Sequence, residues 1–331
     1  MRAGRPPRVL LTRWLPDPVM GFLEGRCQLT AWDGDGPMPR DRLLAEARGL
    51  DGILALLTDR IDGEVLDAAG PGLRVVANYA VGFDNVDVSA CTARGVVVTN
   101  TPDVLTAATA DLTWALILAA GRRVAEGDRL IRAGVQWEWA PGFMLGREVT
   151  GATLGIVGFG RIGQAVAARA GGFGMPLRYH ARSRKPDAEA ATGAEPRDLP
   201  LLLAESDIVS VHVSLTPRTA HLFDAAAFRA MKPTAVFVNT SRGGVVDERA
   251  LAEALRSGEI AAVGLDVFER EPEVHSELVA LPNVVLTPHL GSATVEARTA
   301  MGMAAARNLV DALEGRRPPA AVNPEALGAR R

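Results

Sequence analysis

The sequence predicts an α/β protein with parallel sheets, divided into two domains. Short apolar runs alternate with helix-like stretches near the amino terminus, and a second alternation of the same kind begins near residue 153. Helices between consecutive strands are typical of parallel sheets, because the chain must cross the sheet before the next strand can pair. The length of 331 residues exceeds what one hydrophobic core ordinarily supports, which also favours two domains.

The first alternation supplies the elements of one domain. We expect these elements in the segments Arg8–Thr12, Pro18–Gly25, Leu43–Ala47, Gly52–Leu56, Gly63–Ala68, Leu73–Asn78 and Val96–Thr99. The following segment, Pro102–Arg123, is rich in helix formers, has Asp103 near its start, and ends on Gly121 and paired arginines. It predicts a long, mostly buried helix.

The second alternation supplies the other domain. We expect strands at Thr153–Val157, Leu177–His180, Ile208–Val213, Ala235–Asn239, Ala261–Asp266 and Val284–Thr287, with helices between them. A final helix is predicted over Thr294–Leu313. The Pro- and Ala-rich tail Arg316–Arg331 is expected on the surface or back across the first domain.

The segment Val124–Thr150 is too irregular for one clean element. It contains Trp137, Trp139 and Pro141, and an aromatic-rich excursion between two domains is a candidate subunit contact. A loop packed on its own domain fits the composition equally well.

Composition and charge exclude several classes of protein. Hydrophobic residues make up 48%, charged residues 23%, and the net charge is -3, so neither a disordered nor a nucleic-acid-binding chain is indicated. The apolar stretches are too short for a signal peptide or a membrane span, so a cytoplasmic location without membrane partners is expected. Cys27 and Cys91 fit neither a disulfide framework nor a metal site.

Three glycines in the second domain form a dinucleotide loop. Gly158, Gly160 and Gly163 have the spacing G-x-G-x-x-G, directly after a predicted strand and at the opening of a helix that runs to about Ala170. In this pattern the first glycine permits a tight turn, the second lets a pyrophosphate approach the backbone, and the third allows the helix to pack on the strand. The amino terminus of the helix favours phosphates, so we predict a Rossmann domain that binds a nicotinamide dinucleotide.

The residues after the second strand of that domain indicate which nicotinamide binds. An NAD-preferring site typically places an acidic residue there, but the chain has Arg182, Ser183 and Arg184, with no carboxylate before Asp187. Guanidinium groups bind the 2'-phosphate of NADPH through charge-assisted hydrogen bonds. We therefore predict NADPH, with NADH as the alternative if these residues are only solvated loop charges.

Arg242, Glu271 and His289 are the candidate catalytic residues. Each follows a predicted strand, and the carboxyl ends of strands in an open α/β sheet face the ligand. Arginine matches a carboxylate bidentately and polarises a ketone, histidine exchanges a proton near neutrality, and a glutamate hydrogen-bonded to the imidazole stabilises its charged form. Taken singly, each residue has an alternative role: Arg242 as a surface charge, Glu271 as the partner of a nearby arginine, and His289 as a capped loop histidine. Their ordered occurrence behind a dinucleotide loop favours reduction of a 2-oxo acid.

These segments resemble the D-isomer-specific 2-hydroxyacid dehydrogenase family. The resemblance also rests on the segment Tyr79–Asp87 and on the long helix after Thr101–Pro102, and it spans nearly the whole chain. Within the family the sequence is most similar to glyoxylate and hydroxypyruvate reductases. The resemblance implies two Rossmann-like domains, a discontinuous flavodoxin-like substrate domain (residues 1–100 and 288–331) and an inserted NAD(P)-binding Rossmann domain (101–287).

The same resemblance implies a homodimer built through the excursion 122–150, with Trp139 near the neighbouring active site. We expect the backbone N–H groups around Val81 and Gly82 to hold the substrate carboxylate, because a glycine-bearing turn suits that role. Side chains near Leu57 are expected on the substrate side. Further cofactor contacts are expected at Arg161, Ile162, Thr109, Thr240, Asp266, His289 and Gly291.

The expected activity is reduction of glyoxylate or hydroxypyruvate to the D-2-hydroxy acid, favoured by the small neutral residues Ala80, Val81 and Gly82. Other activities of the family stay open, namely phosphite, phosphoglycerate and formate dehydrogenase. Phosphite dehydrogenases carry lysine where Val81 stands, and long phosphoglycerate dehydrogenases add regulatory domains. A different class, the nucleotide-sensing corepressors that share the fold, stays open because they resemble the enzymes even at the catalytic positions.

Overall fold

The computed structural model describes residues 5–328. They form two compact units: unit 1 comprises the described residues of Met1–Leu105 and Thr294–Arg331, and unit 2 comprises Thr106–Ala293. The expected boundary at residue 287 lies six residues before the end of unit 2, so His289 belongs to unit 2. Positions 1–4 and 329–331 of the expected domains lie outside the described residues.

Unit 1 is a parallel sheet with helices. Its strands are β1 (Arg8–Leu11), β2 (Gln28–Ala31), β3 (Gly52–Ala55), β4 (Val75–Asn78) and β5 (Val97–Thr99). Its helices before residue 105 are α1 (Asp17–Glu24), α2 (Arg40–Glu46), α3 (Gly63–Ala69) and α4 (Val88–Ala93). The strand order is β2-β1-β3-β4-β5, and neighbouring strands pair in parallel. β3, β4 and β5 are buried throughout, as expected for strands covered on both faces.

The carboxyl-terminal segment completes unit 1. The last helix, Val295–Leu313 (labelled α13 below), packs on the sheet, where Leu309 and Leu313 lie against Gly52 of β3. A 3-10 turn at Pro324–Gly328 follows, and the buried Asn323 accepts a hydrogen bond from the Val98 N–H at 2.7 Å. The expectation that the tail returns to the first domain is therefore correct for its described residues.

Unit 2 contains the second sheet. Its strands are β6 (Leu154–Val157), β7 (Leu177–His180), β8 (Glu195–Pro196), β9 (Ile208–Val211), β10 (Val236–Asn239), β11 (Ala262–Leu265) and β12 (Val284–Leu286). Its helices are α5 (Thr106–Gly121), α6 (Val124–Arg132), α7 (Arg161–Ala170), α8 (Pro186–Thr192), α9 (Leu199–Glu205), α10 (Ala225–Arg229), α11 (Glu248–Ser257) and α12 (Ser276–Ala280). The last helix of the chain, α13 (Val295–Leu313), belongs to unit 1.

The second sheet has the order β12-β11-β10-β9-β6-β7-β8, with parallel pairings. Along the chain, β7 and β8 are added on one side of β6, and β9, β10, β11 and β12 are then added on its other side. The boundary between β6 and β9 is therefore the topological switch point, where ligands of open α/β sheets bind beyond the carboxyl ends of the strands. The predicted α/β class with two parallel-sheet domains is confirmed.

The structure differs from the expectation in several segments, including α4 and the two-residue strand β8, neither of which was predicted. The long helix begins at Thr106 rather than Pro102, because Asp103 has a positive φ of 73° and turns the chain first. The excursion after it opens with the helix α6, which was not predicted and which buries none of its residues. β2 is only partly buried and was not predicted at all. None of the helices formed by the described residues combines the length and apolar character needed to cross a lipid bilayer.

Candidate active site

The structure brings the three predicted catalytic residues to one edge of unit 2. Arg242 follows β10, Glu271 follows β11 and His289 follows β12, and these strands are neighbours in the sheet. In a parallel sheet the chain leaves every strand at the same edge, so residues distant in sequence meet there. Charge on Arg242 reaches the Glu271 carboxylate closely enough to lower its pKa.

His289 and Glu271 form a hydrogen-bonded pair. The distance between His289 Nδ1 and Glu271 Oε2 is 2.7 Å, and both side chains are partly exposed. Burial alone would raise the pKa of Glu271, but the hydrogen bond and charge of His289 outweigh it and lower that pKa below the ordinary 4.5. The carboxylate therefore stays ionised at neutral pH. The stability it contributes is present above pH 4.5 and is lost only as the pH falls through the lowered value.

Arg242 is positioned by the buried side chain at the end of β10. Asn239 Nδ2 donates to the Arg242 carbonyl at 2.9 Å, and Asn239 Oδ1 accepts from the Ser241 N–H at 3.0 Å and its hydroxyl at 2.8 Å. Because Asn239 is fully buried, the turn that carries Arg242 is attached to the core of unit 2. The half-buried guanidinium donates to the Ser241 carbonyl at 2.9 Å.

Asp266, predicted as a cofactor contact, holds the loop that carries His289. Its fully buried carboxylate accepts from the Thr287 hydroxyl at 2.6 Å and from the N–H groups of Leu290 at 2.6 Å and Gly291 at 2.8 Å. Its carbonyl accepts from the His289 N–H at 2.9 Å. Burial outweighs these bonds and raises the pKa of Asp266. These bonds maintain His289 at a φ of 54°, a conformation that non-glycine residues rarely adopt and that recurs at functional sites.

The glycine loop fits a dinucleotide. Gly158 has a φ of 98°, and a side chain there would lie 2.5 Å from the His212 carbonyl oxygen. A side chain at Gly160, which caps α7, would meet nothing within 4 Å, leaving room for a pyrophosphate over the helix terminus. A side chain at Gly163 would lie 2.2 Å from the Gly158 carbonyl oxygen, so only glycine lets α7 pack this closely on β6. Arg161 and Ile162 open α7 directly behind Gly160.

His212, to which sequence reasoning assigned no role, lies beside this loop. It follows β9 across the switch point, and its N–H donates to the Val157 carbonyl at 2.7 Å. Its Nε2 lies 2.8 Å from the Ser210 hydroxyl, and burial lowers the pKa of His212 to about 3. The imidazole is therefore neutral at physiological pH. The sequence does not predict that His212 lies beside the glycine loop, because its local pattern is that of an ordinary strand end. Its place follows from the pairing of β9 with β6.

Other predicted cofactor contacts cluster where α5 meets the sheet. The Thr113 hydroxyl lies 2.9 Å from the Thr240 hydroxyl and donates to the Thr109 carbonyl at 2.8 Å. A side chain at Gly291 would lie 3.5 Å from the Thr109 hydroxyl oxygen. Thr109, Thr240 and Gly291 are thus neighbours at the carboxyl edge of the sheet.

The three residues predicted to read the 2'-phosphate follow β7 and are exposed. Arg184 forms an ion pair with Glu189 of α8, and the Tyr179 hydroxyl donates to the same carboxylate at 2.5 Å. The hydrogen bonds from Arg184 and Tyr179 hold the pKa of Glu189 at about 2. Sequence reasoning missed Glu189 because its contact with Arg184 depends on where α8 begins, which the sequence did not define.

The expected substrate loop in unit 1 is held by the side-chain amides of Asn78, which is fully buried, and Asn100, which is partly buried. Asn78 Nδ2 donates to the Gly82 carbonyl, and Asn100 Nδ2 donates to the Val81 carbonyl, each at 2.8 Å. In a trans peptide the C=O and the following N–H point in opposite directions, so the N–H groups of Gly82 and the next residue are directed away from these amides. The neighbouring turn that contains Leu57 is tied to the loop, because Asn85 Nδ2 donates to the Leu56 carbonyl at 3.0 Å.

The excursion after α6 exposes a set of apolar side chains. Trp139 is 80% exposed, Leu145 69%, Val135 52% and Trp137 51%. Trp137 stacks on Phe143 with ring centroids 6.1 Å apart, so the segment has some internal packing but little cover. Exposed large apolar side chains grouped in one segment are a candidate interaction site.

The parallel sheet, the glycine loop at its switch point and the paired imidazole and carboxylate define the class as a nicotinamide-dependent oxidoreductase. Within residues 5–328, no group of three or more His, Cys, Asp or Glu side chains is arranged to hold a metal ion.

Comparison with known proteins agrees with this class and refines it. The family model for the D-isomer specific 2-hydroxyacid dehydrogenase NAD binding domain matches residues 114–291. A glyoxylate reductase of Thermococcus kodakarensis is 50% identical over 330 residues, 98% of each chain. The crystal structure of a Thermus thermophilus protein superposes with a TM-score of 0.89 at 47% identity, covering 95% of this chain and 99% of that one.

A further solved structure was determined with a bound cofactor. The NADPH-dependent glyoxylate/hydroxypyruvate reductase of Sinorhizobium meliloti, in complex with NADP and malonate, is 33% identical with a TM-score of 0.83, covering 97% of this chain and 98% of that one. The present chain belongs to the D-isomer-specific 2-hydroxyacid dehydrogenase family. It is an NAD(P)-dependent oxidoreductase, as the sequence predicted.

Replacement of Gly158 by alanine tests the cofactor loop. The added methyl group combines a positive φ with a 2.5 Å approach to the His212 carbonyl, so the loop must move away from the switch point. We expect the affinity for the reduced nicotinamide cofactor, measured by its fluorescence on binding, to fall by at least about tenfold, since such strain costs roughly 1–3 kcal/mol. Gly171→Ala, where a side chain meets nothing within 4 Å, is the matched control. Unchanged affinity for Gly158→Ala would contradict this assignment.

Proposed function

We propose that the protein reduces glyoxylate or hydroxypyruvate to the D-2-hydroxy acid, with NADPH as the preferred cofactor. The observation that carries the proposal is the His289–Glu271 pair at 2.7 Å, on strand ends next to the one that carries Arg242. The similarity to glyoxylate reductases over nearly the whole chain supports the choice of a small 2-oxo acid.

In this proposal the three side chains divide the work on the substrate. Arg242 binds the 2-oxo acid through its planar fork and polarises the ketone. His289 donates the proton to the ketone oxygen through Nε2, because Nδ1 is occupied by Glu271. The ionised Glu271 orients the imidazole and stabilises its protonated form before transfer. In the reverse direction the neutral imidazole accepts the hydroxyl proton.

The carboxylate of the substrate is assigned to the Val81–Gly82 loop of unit 1. Its carbonyls are engaged by Asn78 and Asn100, which directs backbone N–H groups of the loop to the opposite side. The small side chain of Val81 and the absence of one at Gly82 leave room for a compact acid. Leu57, in the adjoining turn, is assigned to the same substrate side.

When bound, the nicotinamide supplies the hydride. We assign its binding to the glycine loop with Arg161 and Ile162, and to Thr109, Thr240, Asp266, His289 and Gly291 around the carboxyl edge of the sheet. The open space over Gly160 and the first turn of α7 would hold the pyrophosphate.

His289→Gln tests the proton-transfer role. Glutamine fills a similar volume and can donate to Glu271, but it cannot exchange a proton, so kcat with glyoxylate should fall by about 10²- to 10⁴-fold. Binding of the reduced cofactor, followed by fluorescence, should change far less than kcat, because the glycine loop is untouched and His289 is one of several assigned cofactor contacts. The control is His180→Gln, in β7, where the ring Nδ1 donates a hydrogen bond to the Arg197 carbonyl at 3.1 Å.

A panel of 2-oxo acids, assayed with both cofactors, accompanies that variant. Wild-type turnover of glyoxylate or hydroxypyruvate should exceed that of larger 2-oxo acids. If none of these acids is reduced, the proposed reductase activity is refuted and a nucleotide-sensing protein is favoured. Unchanged turnover of His289→Gln would remove His289 from the chemistry.

The preference for NADPH is assigned to Arg182, Ser183 and Arg184. These residues are exposed beyond β7, and the carboxylate of Glu189, which contacts Arg184, is already ion-paired there and hydrogen-bonded to Tyr179. Its negative charge is therefore offset, which lowers the repulsion that a bare carboxylate would exert on a 2'-phosphate. The two guanidinium groups remain within one short turn.

Arg182→Gln and Arg184→Gln, made together, test this assignment. Hydrogen bonds to charged groups contribute roughly 1.5–3 kcal/mol, so the Kd of NADPH should rise on the order of 10- to 100-fold while that of NADH changes little. Arg229→Gln, an exposed arginine on α10, is the control. Equal weakening of both cofactors would show that these arginines do not read the phosphate.

We further propose a homodimer formed through the excursion at residues 122–150. The exposed Trp137, Trp139 and Leu145 form the apolar surface that a second copy would cover. Trp139 would then lie near the partner's active site.

Trp137→Ser combined with Trp139→Ser tests the dimer. Loss of two large apolar side chains from the centre of an interface should shift the protein from dimer to monomer in sedimentation velocity at micromolar concentration. The circular dichroism spectrum should not change, because both side chains are exposed in the single chain. Leu201→Ser, 50% exposed on α9, should leave the assembly as it is. A double variant that still sediments like the wild type would refute the proposed surface.

A further inference from the structure

Two glutamates outside the catalytic set join the loops that carry it. Glu248 is the first residue of α11, and Glu269 lies in the loop after β11. Glu269 Oε1 accepts from the Glu248 N–H at 2.9 Å, and Glu248 Oε1 accepts from the Glu269 N–H at 2.8 Å. Each carboxylate thus satisfies the backbone of the other residue. This reciprocal pair is called the glutamate clamp below.

The clamp lies between Arg242 and Glu271 in both sequence and structure. Arg242 leads through the 3-10 turn Gly243–Val245 into α11, and Glu269 precedes Glu271 by two residues. Between the two loops, a side chain at Gly243 would lie 1.8 Å from the Phe268 carbonyl carbon and 2.4 Å from the Glu269 nitrogen. The backbones are therefore in direct contact at one point and hydrogen-bonded by the clamp at a second.

His221 attaches a third segment to the same place. Its Nε2 lies 3.3 Å from Glu269 Oε1, and its N–H donates to the Gly244 carbonyl at 3.0 Å. A second backbone bond, from the Phe223 N–H to the Val245 carbonyl at 3.1 Å, continues the contact. His221 holds a φ of 48°, so its conformation is maintained by these neighbours.

Packing alone does not favour two carboxylates at the position of the clamp. Glu248 is only 6% exposed, and burial raises the pKa of its carboxyl. Taking a carboxylate out of water and placing a second one near it are both unfavourable, and apolar residues of similar volume often pack with no loss of stability. What the carboxylates provide is direction, because Glu269 accepts from the Glu248 N–H, and Glu248 accepts from the backbone N–H groups of Glu269 and His275.

We propose that Glu269, acting with Glu248, is a positioning residue for the reduction. The clamp sets the distance and orientation of Arg242 relative to the Glu271–His289 pair. This inference rests on the proposed function of those three residues. A displacement of about 1 Å in a reacting site costs on the order of 10²-fold in rate, so loosening the clamp should impair turnover although Glu269 touches no reacting atom.

Glu269→Ala and Glu269→Gln test the inference together. Alanine removes the acceptor for the Glu248 N–H, whereas glutamine keeps an oxygen at that position and loses the charge. We expect Glu269→Ala to lower kcat/KM for glyoxylate by about 10- to 100-fold, with the Kd of the reduced cofactor within about twofold of wild type. Glu269→Gln should recover most of the activity. Glu253→Ala, an exposed glutamate paired with Arg256 on α11, should behave like the wild type.

The remaining outcomes each overturn a distinct statement. Wild-type kcat/KM in Glu269→Ala refutes the positioning role. Equal losses of kcat/KM and cofactor affinity, or failure of glutamine to restore activity, show a general structural role and refute it as well. Arg242→Lys and His289→Gln are measured in parallel: full activity in these variants refutes the proposed function, whereas their loss alongside a fully active Glu269→Ala refutes only the clamp.

Discussion

The buried carboxylate of Asp266 supports the placement of His289 and, through it, the candidate site. Three donors from the loop 287–291 end on its two oxygens, and its own carbonyl accepts the His289 N–H. A fully buried acid is tolerated because every donor around it is aimed at it. Together with a bond from the His289 N–H to the Thr287 carbonyl at 3.0 Å, these bonds hold His289 at a positive φ, from which its imidazole makes the 2.7 Å contact with Glu271.

Acidic residues at this edge of the sheet differ in state because their surroundings differ. Burial dominates at Asp266 and Glu248 and raises the pKa of each. At Glu271 the neighbouring imidazole outweighs burial and lowers the pKa. Separate environments for chemically similar groups are a general way to assign them separate roles. Here two of the acids hold backbone in place, and the third is hydrogen-bonded to His289.

The dinucleotide end of unit 2 is shaped by backbone proximity. Loops from β6 and β9 meet at the switch point, where Gly158 lies against the backbone of His212, and α7 packs so closely that Gly163 has no room for a side chain. The space left open above Gly160 is therefore a consequence of the strand order. Beyond β7, the ion pair of Arg184 and Glu189 gives the exposed arginines a defined neighbour.

The sequence by itself determined the α/β class, most strand positions, the glycine loop and the identities of Arg242, Glu271 and His289, because apolar periodicity and strand-end residues are local signals. The tertiary structure decided what depends on contacts between distant segments. Examples are the start of α5 after the turn at Asp103, the pairing of Glu189 with Arg184, and the mutual hydrogen bonds of Glu248 and Glu269, which are 21 residues apart. The physical reason is that a hydrogen bond between loops at the edge of a sheet depends on strand order and register, and neither can be inferred from the local pattern of residues.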